Sequence, residues 1–197
     1  LSFWNKDRVL YDPMCGSGTI AIEAALIGRN IAPGLNRTFA SQDWPPVKEE
    51  YWKSAKTEAR KKIDLNSRIK IYASDISKKA VSIARENAIE AGVDDCIEFF
   101  VKDVISINEP MCPNGILITN PPYGERIGDI AEIQKIHRKL GRTFGTDKTW
   151  SVYIITSVDS LERDFGRKAD RKRKLFNGDV RVDYYQYFGE RPAERFD

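Results

Sequence analysis

Arg8-Val9-Leu10-Tyr11-Asp12-Pro13-Met14-Cys15-Gly16-Ser17-Gly18-Thr19-Ile20-Ala21-Ile22-Glu23-Ala24-Ala25-Leu26-Ile27-Gly28 is the stretch whose reading decides the fold. Arg8 to Tyr11 is a short β-type run, ended by Asp12-Pro13. Thr19 to Gly28 is strongly helix-forming and is closed by a glycine. Between the two lies a loop with two glycines. Glycine lets backbone approach a ligand closely, and the following helix N-terminus supplies unpaired N–H groups. In an open α/β sheet the crevice at the carboxyl ends of the strands is where nucleotides bind. The loop is not a P-loop, because no lysine follows Gly18, and the dinucleotide pattern GxGxxG fails at Thr19-Ile20-Ala21. Taken alone, a plain glycine turn remains the alternative.

Outward from this unit the same alternation repeats. Ile69 to Ala73 is a second strand, followed by a helix that Ser77 caps and that runs to Gly92. Cys96 to Val101, Gly115 to Thr119 and Trp150 to Thr156 are three further strands. Helices are predicted over Ile130 to Phe144 and near Asp159 to Phe165. Pro46 to Leu65 is a charged amphipathic helix with Val47, Tyr51, Trp52, Ala55 and Ala59 on one stripe. Lys172 to Phe188 reads as two strands joined at Asn177-Gly178, a strong hairpin signal. Strands alternating with helices predict a parallel sheet covered on both faces, with a late antiparallel pair. The expectation is one α/β domain over residues 1–197.

Composition bounds the rest. The 197 residues, 41% hydrophobic and 31% charged, describe a globular chain rather than a disordered or fibrous one. No apolar run approaches the ~20 residues that span a bilayer. The start, Leu1-Ser2-Phe3-Trp4-Asn5-Lys6, has no apolar h-region, and the missing initiator Met predicts a domain cut from a longer chain. Cys15, Cys96, Cys112 and the lone His137 make no zinc spacing, so a reduced, cytoplasmic protein without a structural metal is expected. Thirty-two basic against 29 acidic residues give only +3, too mild to identify a nucleic-acid partner.

Three acids or amides follow strands. Asp75, in Tyr72-Ala73-Ser74-Asp75-Ile76, either caps a helix or accepts both ribose hydroxyls of a nucleoside-like cofactor. Asp103, in Val101-Lys102-Asp103-Val104, is either a turn residue or an acceptor for an adenine amino group. Asn120-Pro121-Pro122-Tyr123-Gly124 is more specific. Two prolines fix the backbone, so an amide, a rigid carbonyl and an aromatic ring are presented together. Asn and carbonyl oxygens accept hydrogen bonds, while tyrosine offers a face for base stacking.

With these residues in place, the order DPMCGSGT, YASDIS, VKDV and NPPYGER resembles a class I S-adenosylmethionine-dependent methyltransferase acting on an exocyclic amino nitrogen. The segments Ile20 to Arg37 and Phe39 to Pro45 narrow the likeness to the bacterial large-subunit (23S) rRNA guanine-N2 methyltransferases, the RlmL-like group, members of which are often labelled N6-adenine-specific DNA methylases. The resemblance implies a Rossmann-like, doubly wound, mostly parallel seven-stranded sheet with a C-terminal antiparallel hairpin. It implies S-adenosyl-L-methionine as cofactor and RNA as partner. By the same resemblance Asp12, Cys15, Gly16 and Gly18 line the methionine part of the cofactor, Asp75 holds the ribose, and Asp103 with Val104 holds the adenine. Thr19 and Ile76 complete the candidate cofactor contacts. Asn120 and the Pro121 carbonyl are implied to grip the target amine, with Tyr123 stacked on the base. The family places RNA-binding modules, a THUMP domain among them, and a cofactor-contacting segment ahead of this domain.

One departure is plain: Asp75 lies 57 residues beyond Gly18, against the ~20 expected after a dinucleotide loop, so residues 30–66 read as an insertion. Trp44, Tyr51 and Trp52 within it are expected to be core packing. Arg163, Arg167, Lys168, Arg171, Lys172, Arg173 and Lys174, interrupted by Asp164 and Asp170, are a solvated face or a track for a phosphate backbone. Cys15 gives no sign of a catalytic thiolate, and His137 has no partner for catalysis. NPPY alone also fits tRNA guanine N2 or DNA adenine N6, and a non-catalytic RNA-binding module is the alternative of a different class.

Overall fold

A computed structural model of the chain describes residues 1–123 and 129–190. Among the described residues seven strands form one sheet in the order β3-β2-β1-β4-β5-β7-β6. The parallel strands are β1 (Leu10–Asp12), β2 (Ile71–Asp75), β3 (Ile97–Val101), β4 (Ile116–Thr119) and β5 (Ser151–Thr156). β6 (Arg171–Asn177) and β7 (Val180–Tyr187) form the antiparallel pair, with β7 running against β5. The mostly parallel sheet with its late hairpin is the arrangement expected from the sequence.

Strand alternation sorts the core. Leu10 faces one side, with Ile71, Ala73, Ile97 and Phe99, under α1 (Thr19–Gly28) and α3 (Lys78–Ala91). Its neighbour Tyr11 faces the other side, with Leu117, Val152 and Ile154, under α4 (Asp129–Leu140) and α5 (Leu161–Phe165). The helices touch the sheet through small residues (Ala21, Ala24, Ala25, Ala84, Ala88), which brings backbone close to backbone. Ser77 caps α3 as expected, its Oγ accepting from the Ala80 N–H at 3.2 Å, and Gly92 closes it at φ +70°.

Several expectations need correction. The helix predicted over 46–65 is shorter, α2 (Glu49–Lys61), and buries no residue. Trp44 and Tyr51 are 60% and 57% exposed, so they are not core; Trp52 stacks on Phe39 at 5.6 Å, and the Lys48 ammonium lies 6.0 Å from the Tyr51 ring centre. The reason is that α2 is charged on nearly every turn and has no sheet beneath it. Instead it is tied back at its end, where the Asp64 N–H donates to the Arg29 carbonyl and Asn30 Nδ2 to the Lys62 carbonyl. The helix predicted over 130–144 is α4 followed by a π-turn over Gly141–Gly145, forced by contact with α5: a Cβ on Gly141 would sit 2.0 Å from the Phe165 carbonyl oxygen. The hairpin turn is Gly178-Asp179 rather than Asn177-Gly178, because Asn177 is the last residue paired with Val180 and Gly178 takes φ +59°.

The hairpin also outgrows the sheet. β5 and β7 part after Thr156 and Asp183, while Leu175, Phe176 and Asn177 stay paired to Val182, Arg181 and Val180. That two-stranded ribbon projects about 10 Å past the carboxyl end of β5.

Candidate active site

The carboxyl ends of β1, β2, β3 and β4 open onto a cavity of about 600 Å³, within the range typical of small-molecule sites. Gly16, Asp75, Ile76, Asp103, Val104 and Asn120 all line it, so six of the candidate residues meet there although more than a hundred positions separate the first from the last. The others stand around it.

The glycine loop is held from three sides. The Cys15 N–H donates to the Ser74 carbonyl at 2.9 Å, and the Gly16 N–H donates to Asp75 Oδ2 at 3.0 Å. From α3, Asn87 Nδ2 donates to the Ser17 carbonyl at 2.9 Å. Gly16 and Gly18 both take positive φ, +53° and +86°, a conformation only glycine adopts without cost. A Cβ at Gly18 would also lie 3.0 Å from Ala84 Cβ, whereas one at Gly16 would meet nothing within 4 Å. Gly18 therefore serves helix packing as well as the turn, and Gly16 leaves open space facing the cavity. Gly18 caps α1 without a side-chain acceptor, so the first-turn N–H groups stay free for an anion. Thr19 begins α1, exposed, with its Oγ1 3.3 Å from Ser17 Oγ.

Asp12 lies beneath this loop rather than in the cavity. It is 1% exposed; its Oδ1 accepts from Thr119 Oγ1 at 2.9 Å and from the Met14 N–H at 3.2 Å. Burial pushes its carboxyl up to about 7, with the Asp75 charge adding to the rise and the two hydrogen bonds opposing it. Burial, with Asp12 and Asp75 nearby, pushes the Cys15 thiol up to about 12, so it carries no thiolate. Asp75 Oδ1 accepts from the Ser77 N–H at 2.9 Å. Each of its oxygens thus keeps a lone pair for a further donor. Asp103 Oδ1 caps a short turn by accepting from the Ile105 N–H at 2.9 Å, and Val104 is buried behind it.

Pro121 is buried and Tyr123 half-buried after β4, with Asn120 exposed at the cavity mouth. Tyr123 is held at both ends: Ser157 Oγ donates to its carbonyl at 3.4 Å, and Asn177 Nδ2 donates to its Oη at 3.1 Å. Gly124, Glu125 and Arg126 of the quoted motif lie outside the described residues. Sequence reasoning missed Thr119, and also Glu132 and Lys135 of α4, which line the cavity. Their pattern is that of any amphipathic helix, so no local signal marks them. Ile76, a candidate from the resemblance, stands 69% exposed directly after the strand-end acid Asp75.

The family model described as RMKL-like, methyltransferase domain (UPF0020), matches residues 1–186. The chain is 46% identical over 198 aligned residues to YpsC of Bacillus subtilis (strain 168), designated a candidate RNA methyltransferase, covering 99% of this chain and 50% of that protein. It is 40% identical over 183 residues to ribosomal RNA large subunit methyltransferase K/L of Shewanella baltica (strain OS185), covering 90% of this chain and 26% of that protein. A crystal structure of SMU.472, a candidate methyltransferase complexed with SAH, superposes with a TM-score of 0.90 at 43% identity, covering 98% of this chain and 51% of that one. The chain therefore spans about half or less of the length of these relatives. A glycine loop stitched to Asp75, acids closing the next two strand ends and a rigid Asn-Pro-Pro-Tyr turn agree with that match along nearly the whole sequence, and the chain belongs to the RMKL-like methyltransferase domain family.

Proposed function

We propose that the chain transfers a methyl group from S-adenosyl-L-methionine to the exocyclic N2 amine of a guanine in RNA, with large-subunit (23S) rRNA in the bacterial cytoplasm as its substrate. The observation that carries this reading is the meeting of Asp75, Asp103 and Asn120, from three successive strand ends, around one cavity. The residues present fit the cofactor. Asp75 has spare acceptor capacity for two ribose hydroxyls, Asp103 and Ile76 line the cavity where the adenine would lie, and the free N–H groups of α1 suit a carboxylate. The RNA substrate rests on the names of the relatives, an RNA methyltransferase candidate and an rRNA large subunit enzyme.

S-adenosyl-L-methionine supplies the methyl as a sulfonium electrophile. The task of the chain's own residues is to make a poor nucleophile attack. An aromatic amine's lone pair is delocalised into its ring. Acceptance of both amine protons by the Asn120 side chain and the Pro121 carbonyl favours a pyramidal nitrogen with its lone pair aimed at the methyl. These acceptors strengthen as positive charge builds on nitrogen, so they bind the transition state better than the ground state. Tyr123, fixed at both ends, stacks on the base and restricts its rotation. The carbon–sulfur bond breaks as the nitrogen–carbon bond forms, and the acidified nitrogen then releases a proton to solvent, so no strong base is required.

Nucleoside mass spectrometry on separated rRNA, tRNA and DNA, from cells with and without the full-length gene, tests the reading. Loss of N2-methylguanosine confined to large-subunit rRNA is the expected result. Loss from tRNA would move the target, and a change only in N6-methyladenine of DNA would overturn the RNA assignment.

A further inference from the structure

The tip of the β6–β7 hairpin overhangs the same sheet edge that carries the site, and Asn177 bonds it to Tyr123. On this ribbon Phe176 is 74% exposed. Lys174 is exposed on the face of β6 that carries Phe176, Arg181 is exposed on the same face opposite Phe176, and Arg171 and Arg173 are exposed on the other face. None of these four cations forms an ion pair with another described residue, unlike Lys172, which pairs with Asp183 at 3.0 Å, and Arg167, which pairs with Asp170. Charges on an outer strand do blunt strand-to-strand aggregation. That role leaves Phe176 unexplained, since a bare aromatic ring at the end of an edge ribbon works against it.

We infer that this overhanging hairpin is a guide for single-stranded RNA: Phe176 stacks on a base next to the target, and Lys174 and Arg181, on the same face of the ribbon, hold the flanking phosphates. The inference rests on the RNA reading above and adds where the strand runs. Stacking on an aromatic face and charge along the backbone are the two devices by which proteins hold single strands without reading their sequence. A target base must leave its stack to reach a pocket, and neighbours held outside the pocket stabilise that extruded state.

The test is fluorescence anisotropy of the intact protein with a labelled single-stranded RNA longer than ~16 nucleotides, titrated at several salt concentrations. Phe176→Ala is expected to weaken binding roughly 5- to 150-fold with an unchanged salt slope. Lys174→Ala and Arg181→Ala are each expected to weaken binding and to lower the slope of log K against log salt by about 0.7, whereas Arg173→Ala, on the opposite face, is expected to leave the slope unchanged. All four positions are exposed, so unchanged melting midpoints and cofactor dissociation constants serve as folding controls. Affinities within twofold of wild type in every variant would overturn the guide and leave the methyl-transfer reading standing. The same result accompanied by aggregation would assign the charges to edge protection, which also overturns it. A wild-type protein that binds no RNA at low salt would overturn the guide and the RNA assignment together.

Discussion

At the scale of single residues, the two strand-end groups with the clearest roles make opposite demands. Asn120 stands at the cavity mouth with no part in holding the glycine loop, so Asn120→Ala should remove transfer, by roughly 10²- to 10³-fold or more. Calorimetry should find its cofactor dissociation constant little changed. Asp75 accepts from the Gly16 N–H, and in the proposed role its remaining lone pairs receive the ribose hydroxyls. Asp75→Ala should weaken cofactor binding about 10- to 100-fold, the loss of a charge-assisted hydrogen bond, before any effect on the chemical step. Equal loss of both properties in Asn120→Ala would remove its assigned role. Asp12 yields a prediction about pH. Its folded carboxyl titrates near 7 against an ordinary value of 3.8, so between these limits the folded chain holds a proton that the unfolded chain has released. This contribution to stability is fully present below pH ~4 and is lost as pH rises through about 7. Asp12→Asn keeps an acceptor for Thr119 and the Met14 N–H but carries no charge. Its melting temperature relative to wild type should therefore rise from pH 5 to pH 8, and a pH-independent difference would contradict the raised carboxyl.

At the scale of elements, the helix ends were legible because caps are chemical and local. Ser77 and Gly92 bound α3 where their side chains and φ preferences require. The end of α4 was not legible. Nothing in Leu140-Gly141-Arg142-Thr143-Phe144 tells of a partner 24 positions later, yet the Phe165 carbonyl leaves no space for a Cβ at Gly141. Gly141→Ala should accordingly destabilise the fold by about 2–4 kcal/mol through overpacking, read as a lower urea midpoint. Gly16→Ala, with open space around its Cβ, should cost only the strain of positive φ, about 1–2 kcal/mol. The insertion helix failed for a related reason. A stripe of Tyr51, Trp52, Ala55 and Ala59 carries the right period, but period reports a face, not whether anything lies against it.

At the scale of the whole molecule, the cavity joins four strand ends, so a ligand filling it bridges both halves of the sheet. SAH at about 100 times its dissociation constant should stabilise the fold by about 2.7 kcal/mol. For a chain of this size that raises the melting temperature by roughly 5–10 °C, and Asp75→Ala should lose most of the rise at the same ligand concentration. By itself the sequence determined the alternation of strands and helices, the glycine loop, and a chemically marked residue after each of β2, β3 and β4. These are properties of local backbone preference and short-range burial period. Only the tertiary structure decided which of them share a cavity, that Asp12 is sealed under Thr119 with a raised carboxyl, that Glu132 and Lys135 join the lining, and that the hairpin overhangs the site. Those depend on strand order, register and the loss of water around particular groups, which arise from contacts between distant positions and leave no period in the chain.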